Sequence, residues 1–320
     1  MQQIKQQAEI PEALGGLRLD QAVSQLFPDY SRARLQQWIK SGEIQVNGAK
    51  MRQKDRVQGG EQVSIDAVME DLSPVCQAEA IDLDIVYEDD SLLVINKPVN
   101  LVVHPAVGNR TGTIQNALLH HCPDLAGVPR AGIVHRLDKN TTGLMVVAKT
   151  IESHHYLVDA MQERAIKREY EAVVHGVMTG GGSIDAPIGR HPTDRKRMAV
   201  VDSGKPAVTH YRVLQRYRLH TWIRVQLETG RTHQIRVHMA HKRYPLVGDP
   251  VYGGRMRTPP NASEQFIDGL RQFNRQALHA IQLGLPHPET GDMIEWTAPL
   301  PQDMQMLLGL LKQDLDDAEK

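Results

Sequence analysis

Cysteine is nearly absent from this 320-residue chain, which holds only Cys76 and Cys122. Two distant thiols support neither a disulfide framework nor a zinc ribbon. Aromatic residues make up 4%, too few for a surface that grips bases with ranks of stacked rings. No window approaches the ~18 apolar residues of a membrane helix. The opening stretch, MQQIKQQAEIPEALGG, has no apolar signal core. A cytoplasmic protein without a membrane partner is therefore expected. Net charge is almost absent too, formally −1, which would argue against a polyanionic partner if the charge were evenly spread.

It is not evenly spread. Residues 65–96 hold nine acids and no Lys or Arg, whereas residues 186–257 hold 15 basic and 4 acidic side chains. All 15 His lie within residues 97–300. Attraction to phosphates depends on local rather than summed charge, so the basic blocks suit a phosphate-rich surface. A hydrophobic fraction of 41% over this length allows two domains with full cores.

Residues 17–65 read as a small module. Leu17, Leu19, Ala22, Val23 and Leu26 recur at helical spacing, and Pro28-Asp29 stops that helix. Ser31 can cap a second helix bearing Arg32, Arg34, Leu35, Trp38, Ile39 and Lys40, which Ser41-Gly42 ends. Ile44 to Val46 is a strand, Asn47-Gly48 is a hairpin turn signal, and a strand closes at Gln62 to Ile65. Residues 66–80 have no clear period and read as a linker. A second domain is expected over 81–300. It opens with a hairpin, Ile85–Tyr87 and Leu92–Ile95, followed by a helix capped by Thr113. Thr150 caps a further helix from Ile151 to about Ala165, with Ile151, Leu157, Ala160 and Met161 on one side. Strands are expected at 170–174, 183–188, 208–214, 222–227 and 234–237, the second joined to the first through Gly180 to Gly182. The irregular, strand-heavy order points to an α+β fold whose mixed, largely antiparallel sheet is flanked by helices and loops. Residues 301–320 read as a C-terminal helix with an acidic end.

The most informative stretch is Gly132 to Lys149. It sets one carboxylate, Asp138, in a polar bend between two apolar runs, Ile133-Val134 and Leu144 to Ala148, that read as strands. Rigid flanks would fix such an acid while leaving its oxygens reachable, which suits a nucleophile or base. His135 and Arg136 beside it suit an anionic partner.

The words HRLDKNTTGL resemble the signature of the RluA-type pseudouridine synthases, whose essential residue is the Asp of HRLD. Arg168-Glu169-Tyr170 matches where that family carries a Tyr against the target base. Glu228 to Arg236 (ETGRTHQIR) matches its Arg motif, and Asn96-Lys97-Pro98 to His104-Pro105 its opening motif. RLDQAVSQLFPDYSRARLQQWIKSGEIQVNG is similar to the S4 RNA-binding domain. The resemblance implies an isomerase that turns uridine into pseudouridine. The motif order is closest to the subgroup acting on large-subunit (23S) ribosomal RNA, as free RNA or as an assembly intermediate. Asp138, Tyr170 and Arg231 would be catalytic, and Arg136, His135, Arg32, Arg34, Lys40, Lys97, His104 and Arg236 would bind RNA.

Elementary chemistry agrees with that implication. The reaction breaks the bond from C1′ to N1, turns the base and joins C1′ to C5, so no cofactor or metal is needed. A carboxyl titrates near ~3.9 in water, and burial can raise this by as much as 3–5 units. An adjacent Arg opposes that rise, a part the resemblance gives to Arg231. The target must leave its stack, with Arg136 filling the space or holding the phosphate. His233, His238 and His241 lack a Cys or paired carboxylate to complete a metal sphere. Two other classes compete: a silent RNA-binding protein, which could have lost this residue set, and a glycosidase, which usually needs a second acid. The protein is expected to be a monomer.

Overall fold

The computed structural model describes residues 2–28, 30, 32–69, 76–105 and 109–320. It divides into two units, 1–75 and 76–320. In the first, β1 (Gln2–Glu9), β2 (Ile44–Val46) and β3 (Gln62–Met69) form an antiparallel sheet ordered β1-β3-β2. Helices α1 (Leu19–Leu26) and α2 (Arg32–Ser41) bury Leu19, Ala22, Val23, Leu35, Trp38 and Ile39 in the same core as Ile44, Val46, Val63 and Ile65. Asp20 is buried among them. It accepts hydrogen bonds from Gln36 (2.8 Å), Arg18 (2.9 Å) and Arg32 (3.2 Å).

The structure adds detail to these expectations. The compact unit also takes in residues before 17, because β1 pairs with β3 from Gln2↔Met69 to Glu9↔Gln62. That strand is mostly Gln and charge, so its alternation is faint. The linker expected over 66–80 is also displaced. Residues 66–69 extend β3, residues 70–75 lie outside the described ones, and Gln77 accepts a 2.7 Å bond from Asn116 in the second unit. Asn47 and Gly48 do form a tight turn, at φ 51° and 75°, but β3 begins only at Gln62. The Ser31 cap lies outside the described residues.

The second unit is organised by one nine-stranded sheet. Its elements are β4 (Ile85–Glu88), β5 (Leu92–Lys97), α3 (Ile114–His121), β6 (Thr142–Ala148), α4 (Ile151–Gln162) and β7 (Lys167–His175). Then follow β8 (Gly182–Asp185), β9 (Ile188–Arg190), β10 (Met198–Val200), β11 (Val208–Arg216), β12 (His220–Leu227), α5 (Gln234–His241) and α6 (Glu264–Gln272). β13 (Leu278–Pro286), β14 (Met293–Thr297) and α7 (Gln302–Ala318) close the chain. The sheet order is β4-β5-β6-β13-β7-β12-β11-β8, with β14 also on β13, while β9 and β10 form a separate ribbon. Among the described strands only β6 and β13 pair in parallel, so the sheet is mixed and largely antiparallel. The fold is α+β.

Thr113 and Thr150 cap α3 and α4 through the backbone N–H of Asn116 and Ser153. Residues 234–237, expected as a strand, are the first turn of α5. β8 pairs with β11 rather than β7. Ile133 makes a single bridge to Val147 instead of a strand. Ile151 is exposed, whereas Leu157 and Ala160 are buried. The C-terminal helix packs Met304, Leu307 and Leu311 against Phe266 and Leu270 of α6. It is part of the second unit's core.

Candidate active site

The bend that carries Asp138 is held from below by buried polar groups. Lys97, at the end of β5, is 1% exposed. Its ammonium donates to the carbonyls of Pro98 (2.8 Å), Leu101 (3.0 Å) and Lys139 (3.0 Å). Burial lowers its pKa to about 7, with the Asp138 charge opposing and Arg275 adding. Arg275, also buried, reaches the Asn140 carbonyl at 3.3 Å while Asp303 holds its other edge. Gln276 donates to Thr141 Oγ1 at 3.0 Å. His135 Nε2 accepts from the Val146 N–H at 3.0 Å. Where the bend enters β6, Gly143 has φ 112°, and a Cβ there would stand 2.2 Å from Ala280 O. No other residue fits that approach to β13.

Helix α5 supplies the opposing wall. Arg236 Nη1 donates to Asp138 Oδ2 at 2.9 Å. Its Nε and Nη2 bind Asp249 in a fork, at 2.7 and 2.9 Å. Asp249 is fixed in turn by the N–H groups of Val251 and Tyr252. The guanidinium is buried, a loss of solvation that opposes its charge, but the two carboxylates more than offset it and raise its pKa. His233, left-handed at φ 57°, sits with Nε2 3.8 Å from Asp138 Oδ1 and Nδ1 2.9 Å from the Tyr252 hydroxyl. Oδ1 accepts no hydrogen bond from the described residues. Thus one carboxylate oxygen is tied down and the other is open.

Asp138 borders a cavity of about 550 Å³, lined also by His104, Arg136, Arg168, Tyr170 and Arg231 among others. The size lies in the range of small-ligand sites. Tyr170, on β7, is buried. Burial and the Asp138 charge raise its pKa and Arg168 opposes them, so its phenol stays protonated.

The sequence matches the model of the RNA pseudouridylate synthases over residues 91–241 and that of the S4 domain over 17–63. A ribosomal large subunit pseudouridine synthase D of Pseudomonas aeruginosa is 60% identical over 97% of this chain and 97% of its own. The protein of that name in Escherichia coli K12 is 56% identical over 99% of this chain and 97% of its own. The chain belongs to the RNA pseudouridylate synthases. Its fold is shared with human RNA Pseudouridylate Synthase Domain Containing 4, at 30% identity and a TM-score of 0.56 over 71% of this chain and 92% of that one.

This synthase arranges its expected site residues unevenly. Asp138, Tyr170, Arg136, His104 and Arg231 all reach the cavity. Arg231, however, does not pair with Asp138. It precedes α5, and its Nε donates to the Pro206 carbonyl at 3.0 Å. The counter-ion is Arg236, because the helix that replaces the expected strand turns position 236 inward. Lys97 gives its three N–H donors to backbone carbonyls, and Arg236 lines the cavity with each of its nitrogens bonded to Asp138 or Asp249. His135 also lines the cavity and braces the bend through Val146. Burial, with Arg168 adding, lowers its pKa to about 3, so the ring is neutral. His104 stands 3.3 Å from Gln115 Oε1, and Arg136 is exposed without a partner among the described residues. In the first unit Arg32 binds Asp20, Arg34 is half-buried and Lys40 is exposed. Sequence reasoning missed Asp249, Tyr252 and Arg275. Only an Asp-Pro step marks the first, and nothing local ties any of them to Asp138. Among the described residues no group of three His, Cys, Asp or Glu is placed to hold a metal.

Proposed function

We propose that this synthase isomerises specific uridines of large-subunit ribosomal RNA, in the cytoplasm and as a monomer, with Asp138 as nucleophile. The observation that supports this reading most is the split carboxylate on a residue that lines the cavity: Oδ2 is held by Arg236, and Oδ1 accepts no hydrogen bond from the described residues. Arg236 sets a positive charge against Oδ2 at 2.9 Å and fixes the carboxylate's orientation. The flipped uridine enters the cavity with its base against Tyr170. Oδ1 attacks at the sugar–base linkage as the bond from C1′ to N1 breaks. The uracil turns, C5 bonds to C1′ as the bond from C1′ to Oδ1 breaks and frees the carboxylate, and the proton lost from C5 is balanced by one gained at N1. Because the Tyr170 phenol is protonated at rest, its first role is stacking, and any proton relay follows the departure of charge from Asp138. Arg136, exposed at the mouth, fills the stack the uridine leaves. Arg231 holds RNA at the rim, and the first unit adds phosphate contacts. The two relatives named for the large ribosomal subunit support the substrate.

The test is Asp138→Asn. Product formation on large-subunit RNA should vanish while RNA affinity stays within about twofold. Turnover above about a tenth of wild type would mean another nucleophile. Mapping pseudouridines in cells with and without the gene fixes the positions.

A further inference from the structure

A second cation in the cavity is not used by the scheme above. Arg168 lies two residues before Tyr170 on β7, so both side chains leave the same face of the strand. It is 7% exposed. Unlike Arg236 and Arg275, it has no carboxylate within ion-pair distance among the described residues. Its Nε is buried without a hydrogen-bond partner, and Nη2 reaches the Glu228 carbonyl only at 3.5 Å. The Glu228 carboxylate, which could have neutralised it, is taken by Arg164 and His210. Gly230 leaves room for the guanidinium: a Cβ there would stand 2.8 Å from Arg168 Nη1.

A guanidinium does not shed its proton in a protein. Buried and unpaired, its charge costs several kcal/mol. The molecule offsets that cost at Arg236 with two carboxylates and leaves it uncompensated at Arg168. An anion from outside is the group that completes such a site, and a guanidinium fork matches phosphate. Resting on the reading that the target uridine occupies this cavity, we propose that Arg168 binds a backbone phosphate of the flipped nucleotide. Its charge is then neutralised only when the substrate is home. Arg236 holds the nucleophile, and Arg168 holds the nucleotide that it attacks.

The test pairs Arg168→Gln with substrate RNAs carrying a neutral methylphosphonate at the 5′ or the 3′ phosphate of the target uridine. Single-turnover rate and half-saturating enzyme concentration are measured for each combination. Arg168→Gln should lower their ratio roughly 10- to 100-fold, the worth of a charged hydrogen-bonded contact. One methylphosphonate should cost wild type a similar factor and cost the variant nothing further, which also identifies the phosphate. Losses that multiply at both positions, or an unimpaired variant, would overturn the proposal. Should Arg168→Gln not fold by circular dichroism, Arg168→Met gives the same cycle, because it too removes both the charge and the fork. Failure of wild type to isomerise the unmodified RNA would instead refute the underlying reading.

Discussion

The two units treat positive charge in opposite ways. In the first, Lys40 is exposed on α2, and Arg18 and Arg32 keep about half of their side chains in water while tethering Asp20. In the second, Lys97, Arg236 and Arg275 are buried, and their donors end on backbone carbonyls or carboxylates around Asp138. A solvated cation loses little on meeting a phosphate and can be replaced by its neighbours. A buried one is part of the scaffold, and removing it leaves its partners unsatisfied. The same residue types thus stay in water at these positions of the first unit and brace the Asp138 bend in the second.

The largest expected effect separates the two Arg of the TGRTHQIR segment. Arg236→Met strands both Asp138 and Asp249, a loss on the order of 3–5 kcal/mol for a buried pair broken on one side. Single-turnover rate should fall at least a hundredfold, and thermal stability should fall with it. Arg231→Met, which gives up a bond to Pro206 O and the proposed contact with RNA, should keep the melting temperature and lose mainly affinity. Equal rate losses for the two, with stability unchanged in both, would erase the distinction between building and binding charges.

Next in size is Lys97→Met, which keeps the length of the side chain but leaves three carbonyls bare. At about 1–3 kcal/mol for a buried group left unsatisfied, melting temperature should drop by several degrees. Rate should drop as the Asp138 bend loosens, with RNA affinity little changed. A variant weakened in binding alone would return Lys97 to the phosphate-binding set.

The units also differ in titration, because every His lies in the second. Burial lowers His135 and His220 to about 3, and His175 and His279 to about 4. Neighbouring positive groups add to burial at His135, His220 and His175, whereas at His279 the Ala298 carbonyl and Asp303 oppose it and Arg275 adds. These rings are neutral when folded, while unfolded they take up a proton near ~6.5. Their contribution to stability is therefore complete above ~6.5 and is lost as pH falls towards 4 and 3. The first unit has no such window. Desolvation of Asp20 is outweighed by its bonds to Gln36, Arg18 and Arg32, so its pKa is lowered and its contribution persists until pH falls below 3.8. Hydrogen exchange read by mass spectrometry at pH 7 and 4.5 should show protection lost in 76–320 and kept in 1–75. Equal loss in both would sink the comparison.

How far this division was legible in the sequence follows from the range of the interactions. Capping Thr113 and Thr150 act within one turn, and Asp138 stands in a word that is itself local. The role of Arg236 depends on Asp249 and on whether 234–237 is helix or strand. A short apolar run leaves that choice open. β13 lies between β6 and β7 in the centre of the sheet. It is buried on both faces, so it shows no alternation, and its partners are remote in sequence. β1 hid for the opposite reason, since it is nearly all polar. Lys97 and His135 read as binding residues because sequence shows charge and not burial.

The smallest expected effect lies in the first unit. Lys40 is exposed in the last turn of α2, with no catalytic motif in its unit. Lys40→Ala should leave stability and single-turnover rate at saturating enzyme unchanged, because nothing in the structure rests on its ammonium. If it meets a phosphate, affinity should fall slightly and the slope of log affinity against log salt should flatten by about 0.7–0.9, one contact's worth. Deleting residues 1–75, with folding of the remainder checked by circular dichroism, should flatten it by several such steps and still leave Asp138, Arg236 and Tyr170 competent. A folded truncation with unchanged affinity and salt slope but no turnover would place the first unit within the chemistry, and the contrast between binding and building charge would then fail as a contrast between units.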